Sequence, residues 1–77
     1  MRTFGYQKDR DELIELREVS IISTIAELEN IIQFLQETKE LHSKFLLENE
    51  SCHSHYRDWD TAWKNDFGDI IVVTTSK

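Results

Sequence analysis

The chain has 77 residues, 39% hydrophobic and 31% charged, with 15 acidic against 9 basic side chains and a formal net charge of −6. At this length one small-cored domain is expected, burying about 60 to 65% of the surface its unfolded form exposes, and the hydrophobic content excludes a disordered chain. The acidic balance argues against nucleic acid and anionic membranes as ligands and favours a basic protein partner, besides keeping a small protein soluble.

Cys52 is the only cysteine, so an intramolecular disulfide is excluded and a reducing, cytoplasmic setting is expected. The start "MRTFGYQKDRDE" has no apolar h-region, and no run approaches the roughly 18 apolar residues of a membrane span. With no proline, glycines only at 5 and 68, and neither repeat nor linker, residues 1–77 read as a single domain.

In chain order, "RTFGYQ" alternates with Phe4 and Tyr6 on one face and reads as a first strand, closed into a hairpin by the polar "KDRD". Next, "LIELREVSII" is ambiguous, since Leu13, Ile14 and Leu16 also fit a long helix over 11–46. The β-branched run Val19, Ile21, Ile22 decides for a strand at about 12–22. "TIAE" at 24–27 is a capping box, starting a helix at about 24–47. On that helix Ile25, Leu28, Ile31, Ile32, Leu35 and Leu46 form the expected core stripe, while Glu29, Asn30, Gln33, Gln36, Glu37 and Glu40 fall on the solvent side. "ENES" at 48–51 ends it.

"CHSHY" at 52–56 alternates as a half-exposed strand. A loop with both tryptophans and the turn "NDFGD" at 65–69 follow, and then "DIIVVTT", whose continuous apolar run reads as a central strand covered on both sides. The expected fold is therefore α+β: a two-layer, four-stranded, mainly antiparallel sheet in the order β-β-α-β-β, with one long helix across one face.

Chemistry concentrates in "SCHSHYRDWDTAW". On a strand His53 and His55 share a face and Cys52 points away. They are metal-ligand candidates that need a third group, Asp58, Asp60 or His42, so no metal or other cofactor is expected. The geometry leaves Cys52 without the orienting base a nucleophile needs. The carboxylates Asp58, Asp60, Asp66 and Asp69 sit in a turn-rich stretch where aspartate also caps backbone. No enzymatic activity is expected. His42 falls inside the helix stripe and reads as a core-edge histidine with its ring hydrogen-bonded. Phe34, Leu41 and Phe45 flank that stripe, either as a broad core face or as a contact ridge for a second copy. Tyr56, Arg57, Asp58, Trp59, Asp60 and Trp63 have the composition of an interface hot spot, or else the tryptophans close the open end of a small core.

The order "LREVSI", "TIAELENIIQFL", "HSHYRDW", "DIIVVT" resembles the Immunity protein 32 family and related small proteins of polymorphic toxin systems. The matching positions are Glu18, Val19, Thr24, Glu27, Leu28, Phe34, Leu35, His53, His55, Asp58, Asp69, Ile70, Ile71 and Val72. The helix-initiating proline common after the cap in that family is replaced by Ile25, and the tryptophans have no place in the pattern. The resemblance implies a cytosolic bacterial protein that neutralises a toxin by binding it, without catalysis. The alternatives are a structural homodimer through Phe34, Leu41 and Phe45, or a metal-binding protein using the His53/His55 pair.

Overall fold

The computed structural model describes residues 1–64 and 67–76. Its elements are β1 (Thr3–Gly5), β2 (Ile14–Leu16), α1 (Ile25–Phe45), β3 (Ser51–His55), α2 (Tyr56–Trp59) and β4 (Ile71–Thr75). Asp66 and part of the "NDFGD" turn lie outside the described residues.

Helix α1 begins where its capping box places it. The Glu27 amide donates to Thr24 Oγ1 at 3.1 Å and the Thr24 amide to Glu27 Oε1 at 2.9 Å, so two of the four unpartnered N–H groups of a helix start are satisfied. Those bonds from Thr24 hold the Glu27 carboxyl below its usual pKa. At the other end Asn49 Nδ2 donates to the Phe45 carbonyl at 2.9 Å. The polar "ENES" thus closes the helix by taking up one of its free C-terminal carbonyls.

Two antiparallel hairpins flank the helix in sequence. β3 pairs with β4 in register from Ser51↔Thr75 to His55↔Ile71, and the ladder is extended by Tyr56 N–H donating to Ile70 O at 2.8 Å. β1 pairs with β2 from Thr3↔Leu16 to Gly5↔Ile14. Their contact is supported by Thr3 Oγ1 donating to Leu16 O and by an exposed Arg2–Glu15 ion pair. A Cβ at Gly5 would stand 3.0 Å from Leu16 Cδ1, so a larger residue there would require the Leu16 side chain to shift by a few tenths of an ångström. In the connection, Asp9 takes the left-handed conformation, φ 62°, which aspartate tolerates better than most residues.

The expected four-stranded sheet does not form. Among the described residues β1 bonds only β2 and β3 only β4, giving two separate two-stranded sheets, although the α+β character stands. The strand expected over 12–22 shrinks to Ile14–Leu16. Glu15, Arg17 and Glu18 interrupt its apolar content, so it lacks the two-sided hydrophobic composition of a strand inserted within a sheet. β4 is likewise not central. Val72 and Thr74 face the helix and are half-buried, while Ile71 and Val73 on the other face are exposed, with no second layer over them among the described residues.

The core stripe expected on α1 is also corrected. At 100° per residue the apolar arc of the helix spans about 200°, more than one two-stranded sheet covers. The covered part is centred on Phe34, Thr38 and His42, all buried. Ile25, Leu28, Ile32 and Leu35 remain 74%, 42%, 49% and 44% exposed. The small Thr38 lets helix and hairpin approach, Phe34 fills the space on one side, and His42 bonds both strands on the other. No described helix is long and apolar enough to cross a membrane.

Candidate functional site

Several of the candidate residues meet where α1, β3 and α2 come together. Phe34 is the best-enclosed side chain, 1% exposed, and its ring meets Tyr56 edge-on at 5.3 Å and Trp59 at 5.8 Å. Tyr56 and Trp59 lie 5.7 Å apart. Such aromatic pairs contribute about 0.5 to 1.5 kcal/mol each beyond area burial. Burial and the nearby Asp60 carboxylate push the Tyr56 hydroxyl above its ordinary value. Phe34 and Tyr56 therefore belong to the core rather than to a contact surface, and the flank is left with Leu41 and Phe45, 57% and 52% exposed.

Beside this cluster runs an open groove of about 520 Å³, lined by Phe34, Glu37, Thr38, Leu41, His53, Ser54, His55, Asp58 and Trp59. It gathers residues from all three groups singled out in the sequence: Asp58 and Trp59 from the hot-spot cluster, Phe34 and Leu41 from the helix flank, and the histidine pair. Glu37, read as solvent-facing, sits on its wall. The signal for it was the spacing 34, 37, 41 on the helix, three and four residues apart, overshadowed by the stronger Leu28–Leu35 stripe. Arg57 is exposed but outside the lining, its Nε 3.8 Å from Asp58 Oδ1 and 3.9 Å from Asp69 Oδ2. Asp60 accepts from the Ala62 amide and Trp63 Nε1 donates to Gly68 O at 3.1 Å, so both stabilise the loop after α2.

The three histidines have different surroundings. His42, 3% exposed, bonds Thr74 Oγ1 through Nδ1 at 2.7 Å and Ser54 Oγ through Nε2 at 2.9 Å. It joins α1 to both strands of its hairpin and has no ring nitrogen left for a metal. His53 and His55 pack edge-to-face, ring centroids 5.5 Å apart, and His55 Nδ1 meets Asp69 Oδ2 at 2.8 Å. Among the described residues, no three His, Cys, Asp or Glu side chains converge so as to hold a metal ion. Cys52 is half-buried on the Ser54 side of β3.

Asp69 organises the β3–α2 junction. Its Oδ1 accepts from the Arg57 and Ile70 amides, each at 2.9 Å. Burial alone would raise its pKa, but the His55 ring and the two amides outweigh burial and hold the carboxyl below the usual range. A carboxylate depressed in the folded state contributes stability above its unfolded value, about 3.9, and loses it as pH falls through the folded one. Asp69→Asn is accordingly expected to cost about 1 to 3 kcal/mol at neutral pH. The gap to wild type should close in acid as the native carboxyl protonates. Urea unfolding across a pH series checks this, and a gap independent of pH would contradict it.

No protein-family model, curated protein or solved structure matches the chain.

Proposed function

We propose that the chain is a non-enzymatic protein-binding module that receives a basic segment of its partner in the α1–β3–α2 groove. The observation that carries this reading is the groove's make-up: Leu41 and Trp59 offer apolar contact over the buried Phe34, with carboxylates Glu37 and Asp58 at the wall. Apolar anchors with a charged rim are how specific interfaces combine affinity with steering, and the net charge of −6 extends the same field over the rest of the surface. The groove also runs along β3, which among the described residues bonds only β4. Its other edge offers backbone donors and acceptors to an extended partner segment, the strand-addition mode of recognition.

Within that class, the resemblance to the Immunity protein 32 family supports a cytoplasmic bacterial protein whose partner is a toxin domain. Co-expression tests it. In a bacterial host making the C-terminal domain of the polypeptide encoded immediately upstream, the wild-type chain should restore growth and Trp59→Ala should restore it less. Failure of the wild type to protect removes the toxin reading, and full protection by a Leu41→Ala, Trp59→Ala double variant removes the groove.

A further inference from the structure

Three consecutive residues of β3, His53, Ser54 and His55, line the groove. Neighbours on a strand point to opposite faces, so a cavity that touches all three lies along the edge of the strand and not over one face. The phase of the hairpin's hydrogen bonds decides which backbone groups that edge presents. Tyr56 N–H donates to Ile70 O and Ser76 N–H to Glu50 O, and the register between them is continuous. Bonded pairs alternate with unbonded ones in an antiparallel ladder. Cys52 and Ser54 therefore direct their N–H and C=O groups to β4, whereas His53 turns both of its groups, and His55 its N–H, to the other edge. No strand takes them up among the described residues. β3 reads "SCHSH" and has neither lysine nor proline, the residues that commonly blunt an edge against pairing.

We propose that the groove takes an extended peptide segment as a third strand on the free edge of β3 and selects a basic and an apolar side chain two positions apart. This rests on the groove reading above and specifies what the partner brings to it. α1 and β3 run in opposite directions, since His42 bonds Ser54 and Phe34 meets Tyr56. On an added strand every second side chain faces α1. One such position falls beside Leu41, and the next, about 7 Å further toward α2, falls beside Glu37, Asp58 and Trp59. The first suits an apolar side chain. The second suits lysine or arginine, whose stem lies on the indole while its charge meets the two carboxylates. Main-chain bonds to His53 and His55 supply affinity, and the two side-chain positions supply selectivity. A second copy of this chain would bring another net charge of −6 to the same edge, so charge complementarity favours a basic segment over self-pairing.

Selection of displayed random linear peptides on the full chain tests the proposal. Enriched peptides should share an apolar residue and a lysine or arginine two positions apart. The best of them is then made in two forms, N-methylated on one or the other alternate set of amides, and binding is read by fluorescence polarisation. One form should lose affinity about tenfold or more and the other should bind nearly as the parent does, because only one edge of the peptide faces β3. Two forms that bind alike, enriched spacings of three and four residues as on a helix, or no enrichment would each overturn the proposal. So would a wild-type dimer in sedimentation that His53→Pro, an edge proline β3 should tolerate, turns into a monomer, since a second copy would then hold the edge. The groove reading is judged apart. Peptides that bind Trp59→Ala as well as wild type remove it, whereas peptides weakened by Trp59→Ala but indifferent to which set is methylated remove only the added strand.

Discussion

Phe34→Ala is expected to remove about 3 to 5 kcal/mol of stability, out of the roughly 4 to 12 kcal/mol available to a domain of this length. The size of the effect follows from how little else the core contains. Among the described residues only Phe34 and Tyr56 are buried apolar side chains, and Phe34 is the ring that both Tyr56 and Trp59 pack against. Truncation leaves a cavity bordered by α1 and α2, and no neighbouring apolar side chain is free to fill it without uncovering another surface. Chemical denaturation followed by tryptophan fluorescence reads the loss directly, and the native-state emission of Trp59 should shift to the red as water reaches its ring. Phe34→Leu, which keeps most of the volume, is expected to retain a cooperative transition at a smaller cost. A Phe34→Ala variant within 1 kcal/mol of wild type would show that the core lies elsewhere.

His42→Ala has the second largest expected effect, about 2 to 4 kcal/mol. The ring fills the space between α1 and the β3–β4 hairpin and satisfies two hydroxyls there, Ser54 and Thr74. Removing it opens a cavity and leaves both hydroxyls unpartnered in a poorly solvated place, which costs more than the bonds themselves contribute. The triple variant His42→Leu, Ser54→Ala, Thr74→Val removes donors and acceptors together and keeps most of the volume. It is expected to recover most of the loss, because replacing every partner of a buried polar cluster by apolar groups is nearly neutral. Urea midpoints compare the three proteins. A triple variant no more stable than the single one would contradict this account of the histidine.

The local chemistry of the fold was legible in the sequence where short-range rules decide. Thr24 and Glu27 mark the helix start because a capping box is satisfied within four residues, and Asn49 marks its end for the same kind of reason. What could not be read was decided by competition over distance. The helix has an apolar arc too wide for one partner. The sequence pattern favours Leu28, Ile32 and Leu35, whereas the hairpin covers the side that has Phe34 to fill space and His42 to bond two strands. The four-stranded sheet followed from the assumption that all strands share one layer. That assumption fails at β2, a three-residue strand with Glu15 at its middle and Arg17 and Glu18 after it, which offers too little apolar surface to join β3 or β4.

The candidate site shows the same division. The cluster from Tyr56 to Trp63 was visible as a concentration of aromatic and acidic residues, yet composition could not sort it into parts. Tyr56 belongs to the core, Asp60 and Trp63 tie down a loop, and Asp58 and Trp59 reach the groove. Glu37 and Thr38 come from a helix turn distant in sequence, so their place in the lining depends on which helical face the hairpin selects. Once Phe34 is known to be buried, their positions follow from the 3.6-residue period alone.

The proposal that the groove is the contact surface for a basic partner is tested most directly by calorimetric titration of the chain with the upstream-encoded domain. Saturable one-to-one binding per chain is expected, weakening as salt is raised. Trp59→Ala should lower the affinity about 30-fold or more, the equivalent of a hot-spot loss of about 2 kcal/mol, while Ile32→Glu should bind as the wild type does. Binding that is unchanged by Trp59→Ala and by Leu41→Ala, or no binding by the wild-type chain, would contradict the account.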